Sequence, residues 1–93
     1  MDIKHKIDEI RKLFSEKQFD EVLKKINAFS RIEERTSELS SLSGICKILK
    51  SNPNQKEILS ALTDFKDSYI KSKTSNYGLD SVCNYISTCI LYS

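Results

Sequence analysis

The residue types that most often carry out catalysis are sparse and scattered in this chain. His5 is the only histidine, and it lies between two lysines near the N-terminus, where a solvated side chain is expected. A serine or cysteine nucleophile needs a base within hydrogen-bonding distance, and the sequence offers no second histidine for that role. Two glycines cannot form a G-x-G-x-x-G pattern or a P-loop. The sequence therefore predicts that the chain is not an enzyme.

The thiols and carboxylates are not spaced for metal binding. Cys46, Cys83 and Cys89 form no C-x-x-C pair, whereas zinc sites need clustered ligands. Acidic pairs such as Asp8-Glu9 are adjacent in sequence, and adjacent helix residues point about 100° apart, so the pair does not converge on one ion. We expect neither metal nor cofactor, and we interpret the cysteines as small apolar residues in a reducing compartment.

Composition excludes several other classes of protein. The 93 residues are 39% hydrophobic and 30% charged, which suits one folded domain. Fifteen basic and thirteen acidic residues are mixed along the chain without a basic stripe, which disfavours a nucleic-acid partner. The sequence shows no apolar run of about 20 residues and no secretory signal, so we expect no membrane association and a cytoplasmic location.

The chain reads as a series of helices joined by short connections, because it contains two glycines and one proline. We predict an all-α fold of about five helices. Residues 3–32 form a first antiparallel hairpin, with helices near 3–14 and 19–32. The apolar residues of both helices recur at helical spacing, at Ile3, Ile7, Ile10 and Phe14, and then at Phe19, Val22, Leu23, Ile26 and Phe29.

A second hairpin is predicted over residues 37–71. Its first helix, near 37–50, is capped by Thr36 or Ser37 and carries a flank of serines with Gly44, which we interpret as a close helix contact. Pro53 marks the break, and Asn54 with Glu57 forms a capping box for the next helix.

The last segment, residues 79–93, is predicted to start a third hairpin, capped by Asp80. We expect its apolar stripe to pack on the preceding hairpin; the stripe comprises Leu79, Val82, Cys83, Ile86 and Ile90. Tyr85, Cys89 and Tyr92 form a second stripe, which we predict to be a terminal interface. Its occupant is further chain, a partner protein or a second copy, giving a homo-oligomer.

The spacing of these features resembles that of a tetratricopeptide repeat. Ile10 and Gly44 are 34 residues apart at matching places, and the stretch F-D-E-V-L at residues 19–23 begins nine residues after Ile10. The stretch L-S-G-I-C at residues 42–46 is similar to the first helix of a second repeat. The chain departs from the pattern at Lys17, where a turn glycine is usual, and in lacking an aromatic at the start of the fourth helix.

The resemblance implies a short right-handed solenoid of stacked hairpins, a non-catalytic scaffold that binds a protein or peptide, or its own downstream domain, in a concave groove. It places Ile7, Arg11, Phe14, Ser41, Ile45 and Ile48 in that groove, with a core position as the alternative for Ile7 and Ile45. A generic antiparallel bundle is the alternative fold. The alternative function is the helical N-terminal region of a larger enzyme, for example a transferase.

Overall fold

The computed structural model of the protein describes residues 3–29, 36–49 and 53–92. All regular structure in these ranges is helical, without a strand, so the prediction of an all-α fold with about five helices is confirmed. The helices are α1 (Ile3–Ser15), α2 (Phe19–Phe29), α3 (Ser37–Leu49), α4 (Gln55–Lys71) and α5 (Asn76–Leu91). The predicted extension of α2 to residue 32 and of α3 to residue 50 lies outside the described residues.

A tight turn joins α1 to α2. The Lys17 N–H donates to the Phe14 carbonyl (3.0 Å) and the Gln18 N–H donates to the Leu13 carbonyl (3.0 Å). These two bonds define a Schellman motif, whose second-last residue takes a left-handed backbone conformation. Lys17 takes that conformation with φ of 61°. Lys17 therefore stands where the repeat pattern has a glycine, and its backbone conformation is one that favours glycine.

The predicted caps of the second hairpin are confirmed. Thr36 Oγ1 accepts a hydrogen bond from the Leu39 N–H (3.2 Å) at the start of α3. Asn54 accepts from the Glu57 N–H (2.8 Å), and the Glu57 carboxylate accepts from the Asn54 N–H (3.1 Å). These bonds satisfy amide groups that a helix N-terminus leaves free, so both helix starts are determined locally.

The start of α5 differs from the prediction. The helix begins at Asn76 with Ser75 as N-cap, and not near Asp80. Ser75 Oγ accepts from the Gly78 N–H (3.1 Å) and donates to the Ser72 carbonyl (3.2 Å). The polar loop is therefore shorter than the predicted 72–78, because a serine hydroxyl there caps a helix as well as an aspartate does.

The apolar core lies among α1, α2 and α3. Its buried side chains are Ile10, Val22, Ile26, Leu39, Leu42 and Cys46, and Leu13, Phe14, Phe19 and Leu23 pack against them. The Phe14 and Phe19 rings meet edge to face across the turn, with centroids 5.8 Å apart. α3 is the central helix, since it contacts α2, α4 and α5.

The contact between α3 and α4 is built differently, from small and polar residues around the buried Phe65 ring. Ser40, Ser41, Ser43 and Gly44 are all buried, so the predicted close contact on this flank is confirmed. A methyl group on Gly44 would lie 2.6 Å from the Phe65 ring. Only a residue without a side chain lets α3 approach α4 this closely.

Candidate interaction surface on the fifth helix

The apolar face of α5 points away from the rest of the protein. Leu79, Ile86 and Ile90 are 52%, 55% and 71% exposed, and Cys83 is exposed as well. The prediction that this stripe packs on the preceding hairpin is therefore wrong; of its members, Val82 alone is half-buried. We call Leu79, Cys83, Ile86 and Ile90 the apolar ridge.

The opposite face of α5 packs inward, and its residues are small. Gly78, Ser81 and Thr88 are the buried residues of this helix. At about 100° per residue, the centre of this buried face lies roughly 160° around the helix from the centre of the apolar ridge. The helix thus buries small side chains, two of them hydroxylic, and leaves its large aliphatic ones in solvent.

Local geometry at the start of α5 sets this orientation. A methyl group on Gly78 would lie 1.9 Å from the Ser72 carbonyl oxygen, so this face of the helix meets the backbone of the loop. Ser68 Oγ on α4 lies 3.4 Å from the Tyr77 carbonyl and joins the same contact. Because Gly78 alone provides room for this approach, the first turn fixes which face of α5 turns inward.

A groove of about 300 Å³ runs between α4 and α5 beside the apolar ridge. Its lining is almost wholly apolar and consists of Phe65, Lys66, Tyr69, Ser81, Val82, Tyr85 and Ile86. Ile86 belongs to both groove and ridge, so the two form one continuous surface. Ser81 is fully buried, and its hydroxyl has no hydrogen-bond partner among the described residues.

The residues predicted as a terminal interface lie at the border of this surface. Tyr85 and Tyr92 are 39% and 44% exposed, and they lie on the same side of α5 as its buried residues. Cys89 is exposed and lies between these tyrosines and the apolar ridge around the helix. Tyr85 also lines the groove. Leu79, Ile86 and Ile90, which the sequence predicts to pack on the preceding hairpin, are all more exposed than either tyrosine.

The structure does not gather the predicted concave-groove residues into one open surface. Ser41 is buried, and Phe14 packs against the core. Ile7, Ile45 and Ile48 are half-buried. Arg11 forms an ion pair with Glu38.

Ion pairs link α1 to its neighbours. Arg11 Nε and Nη2 donate to the two Glu38 oxygens at 2.6 and 2.7 Å, a two-pronged pair that joins α1 to α3. The hydrogen bonds that Arg11 donates to the Glu38 carboxylate raise the pKa of Arg11 further above its ordinary value. Lys25 Nζ lies 3.0 Å from Glu9 Oε1, which joins α2 to α1 and lowers the pKa of Glu9.

A buried polar cluster between α3 and α4 was missed by sequence analysis. Lys47 Nζ donates to Asp64 Oδ2 (2.7 Å) and to Ser60 Oγ (2.8 Å), and Ser43 Oγ donates to Asp64 (2.8 Å). The ion pair between Lys47 and Asp64, together with its two serine hydroxyl partners, joins α3 to α4. The sequence does carry a signal for this cluster, because polar residues recur at intervals of three and four in both helices. They are Ser40, Ser43 and Lys47 in α3, and Ser60, Asp64 and Asp67 in α4.

The three thiols occupy different environments. Cys46 is buried, and burial raises the pKa of its thiol to about 12. Cys83 and Cys89 are exposed on α5. Within the described ranges, no three histidine, cysteine or acidic side chains are grouped closely enough to hold a metal ion.

Comparisons with known proteins identify no relative of this chain. The chain matches no protein-family model, no curated protein and no solved structure. Across the part of the chain that the structure describes, no helix has both the length and the hydropathy needed to cross a bilayer.

Proposed function

We propose that the chain is a non-catalytic protein-interaction module whose binding surface is the apolar ridge and the adjoining groove. One observation carries the proposal: α5 turns its aliphatic face into solvent and its small face into the fold. A contiguous apolar surface of this kind on a soluble domain usually marks a protein contact.

The charge distribution around the surface supports a protein partner. Asp80 is the single charged residue in the sequence of α5, and Lys66 is the single charged residue of the groove. The cores of protein–protein interfaces are depleted of charge and enriched in tyrosine and aliphatic residues. Tyr69 and Tyr85 stand at the groove and bring an apolar ring with a polar tip, which suits an interface rim.

We propose that the hairpins stack as in a tetratricopeptide repeat, but that the binding surface differs from the one that the resemblance implies. The stacked helical hairpins support the binding surface. α3 contacts both of the helices that form this surface, α4 and α5. Binding then takes place at the last helix, because the residues implied for a concave groove are partly buried or ion-paired.

Matched substitutions in the cell test this function. Ile90 and Leu91 are adjacent, aliphatic and similarly exposed, at 71% and 73%, yet Leu91 lies about 100° around the helix from Ile90. We expect Ile90→Lys to lose proteins that cross-link to the tagged chain, including copies with a second tag, while Leu91→Lys retains them. Quantitative mass spectrometry measures the difference. Identical cross-linked proteins for the wild type and both variants would refute the proposal.

A further inference from the structure

We infer that the partner on the apolar ridge is a second copy of this chain, which pairs with it ridge to ridge. This inference rests on the proposed function and narrows it to one occupant. It moves the centre of the interface from the tyrosine-bearing face, expected from the sequence, to the aliphatic face of the same helix, and Tyr85 remains at the edge of the interface through the groove.

The spacing of the ridge is that of a helix-pairing seam. Leu79, Cys83, Ile86 and Ile90 follow one another at intervals of four, three and four. Two helices pack along their lengths when apolar residues recur on average every 3.5 residues. The ridge therefore presents two successive heptads to a partner helix with the same period, and a second copy supplies such a helix.

The exposed area agrees with what a stable dimer buries. Three aliphatic ridge residues and the two groove tyrosines expose between 36% and 71% of their surfaces; they are Leu79, Ile86, Ile90, Tyr69 and Tyr85. At about 200 Å² for a large side chain, these five present roughly 500 Å². A standard interface covers about 800 Å² on each partner, and about 65% of it is apolar in homodimers. The two apolar areas are nearly equal.

Self-pairing also carries little electrostatic cost. Two copies of one surface bring identical charges together, so a charged ridge would oppose a symmetric dimer. Asp80 is the single charged residue of α5 and lies on the flank of the ridge, next to Leu79 in sequence but about 100° around the helix. The ridge itself is thus uncharged along its length, and Lys66 is the single charged residue in the lining of the adjoining groove.

Sedimentation equilibrium tests the inference on the full chain. We expect the wild type to dimerise reversibly, Ile90→Lys to raise the dissociation constant by about tenfold or more because a charge would be buried, and Leu91→Lys to change it by less than about threefold. Circular dichroism checks that both variants remain folded, which their exposure in the monomer predicts.

Two results would overturn the inference. One is a wild-type chain that stays monomeric at every concentration, and the other is equal weakening by Ile90→Lys and Leu91→Lys. A monomeric wild type that still loses cross-linked proteins in the cell through Ile90→Lys would overturn self-pairing alone. A different result would refute the interaction function itself, namely an Ile90→Lys variant that cross-links in the cell to the same proteins as the wild type.

Discussion

At the scale of single residues, two buried serines have opposite surroundings. Ser43 donates a 2.8 Å hydrogen bond to Asp64, whereas the Ser81 hydroxyl has no partner among the described residues. A buried hydroxyl stabilises a fold when it is paired and costs free energy when it is not. The two positions therefore form a natural comparison, since both side chains are almost fully buried.

We predict opposite effects of alanine at these positions. Ser43→Ala should lower the free energy of unfolding by about 1 kcal/mol, because Asp64 loses a donor. Ser81→Ala should leave it unchanged or raise it by up to about 1 kcal/mol, since an unpaired hydroxyl is replaced by a good helix former. Urea denaturation measures both, and a larger loss for Ser81→Ala than for Ser43→Ala would contradict the placement of these side chains.

Lys17 supplies a second prediction at this scale. Its φ of 61° is a left-handed conformation that costs a residue with a side chain roughly 1–2 kcal/mol. Lys17→Gly should therefore raise the free energy of unfolding by about 1 kcal/mol in thermal or urea denaturation.

Glu16→Gly provides the control for Lys17, because the neighbouring residue has no positive φ. Glycine there should destabilise the protein slightly through the entropy of the unfolded chain. If both substitutions had the same effect, the left-handed turn would not be the cause.

At the scale of helices, the sequence predicts boundaries well where one side chain caps one helix. Thr36, Asn54 and Glu57 were assigned correctly because their hydrogen bonds join neighbours in the chain. The orientation of α5 was not predictable in this way. Periodicity identifies an apolar face but not whether that face meets its own chain, and here the Gly78 contact with Ser72 decides the question.

The close approach of α3 to α4 gives a prediction for this scale. Gly44→Ala places a methyl group 2.6 Å from the Phe65 ring and should cost about 1–3 kcal/mol of stability, in spite of the better helix propensity of alanine.

A double-mutant cycle isolates the cause of that loss. Phe65→Leu removes the ring that the methyl group meets, so Gly44→Ala should cost about 1 kcal/mol less in that background. Chemical denaturation of all four proteins measures the coupling. An additive result would show that the loss comes from elsewhere in the helix.

At the scale of the whole molecule, the fold combines two kinds of packing. α1, α2 and α3 share an aliphatic core, while α3, α4 and α5 meet mainly through glycine, serine and buried charge around the Phe65 ring. The second kind hides few large apolar side chains, and so the aliphatic residues of α5 are left outside. Composition and periodicity revealed the all-α class and the surplus of apolar residues at the end of the chain, but not the face on which that surplus lies.

Thiol cross-linking tests the central claim most directly, because α5 carries one cysteine on the apolar ridge and one off it. Cys83 lies on the ridge, Cys89 lies beside it, and Cys46 is buried with a raised pKa that keeps its thiol unreactive. With a short bismaleimide at a concentration where the chain associates, we predict that Cys89→Ser still forms covalent dimers and Cys83→Ser does not. Equal cross-linking of the two variants, or dimers formed through Cys89 alone, would contradict the pairing of two copies along the apolar ridge.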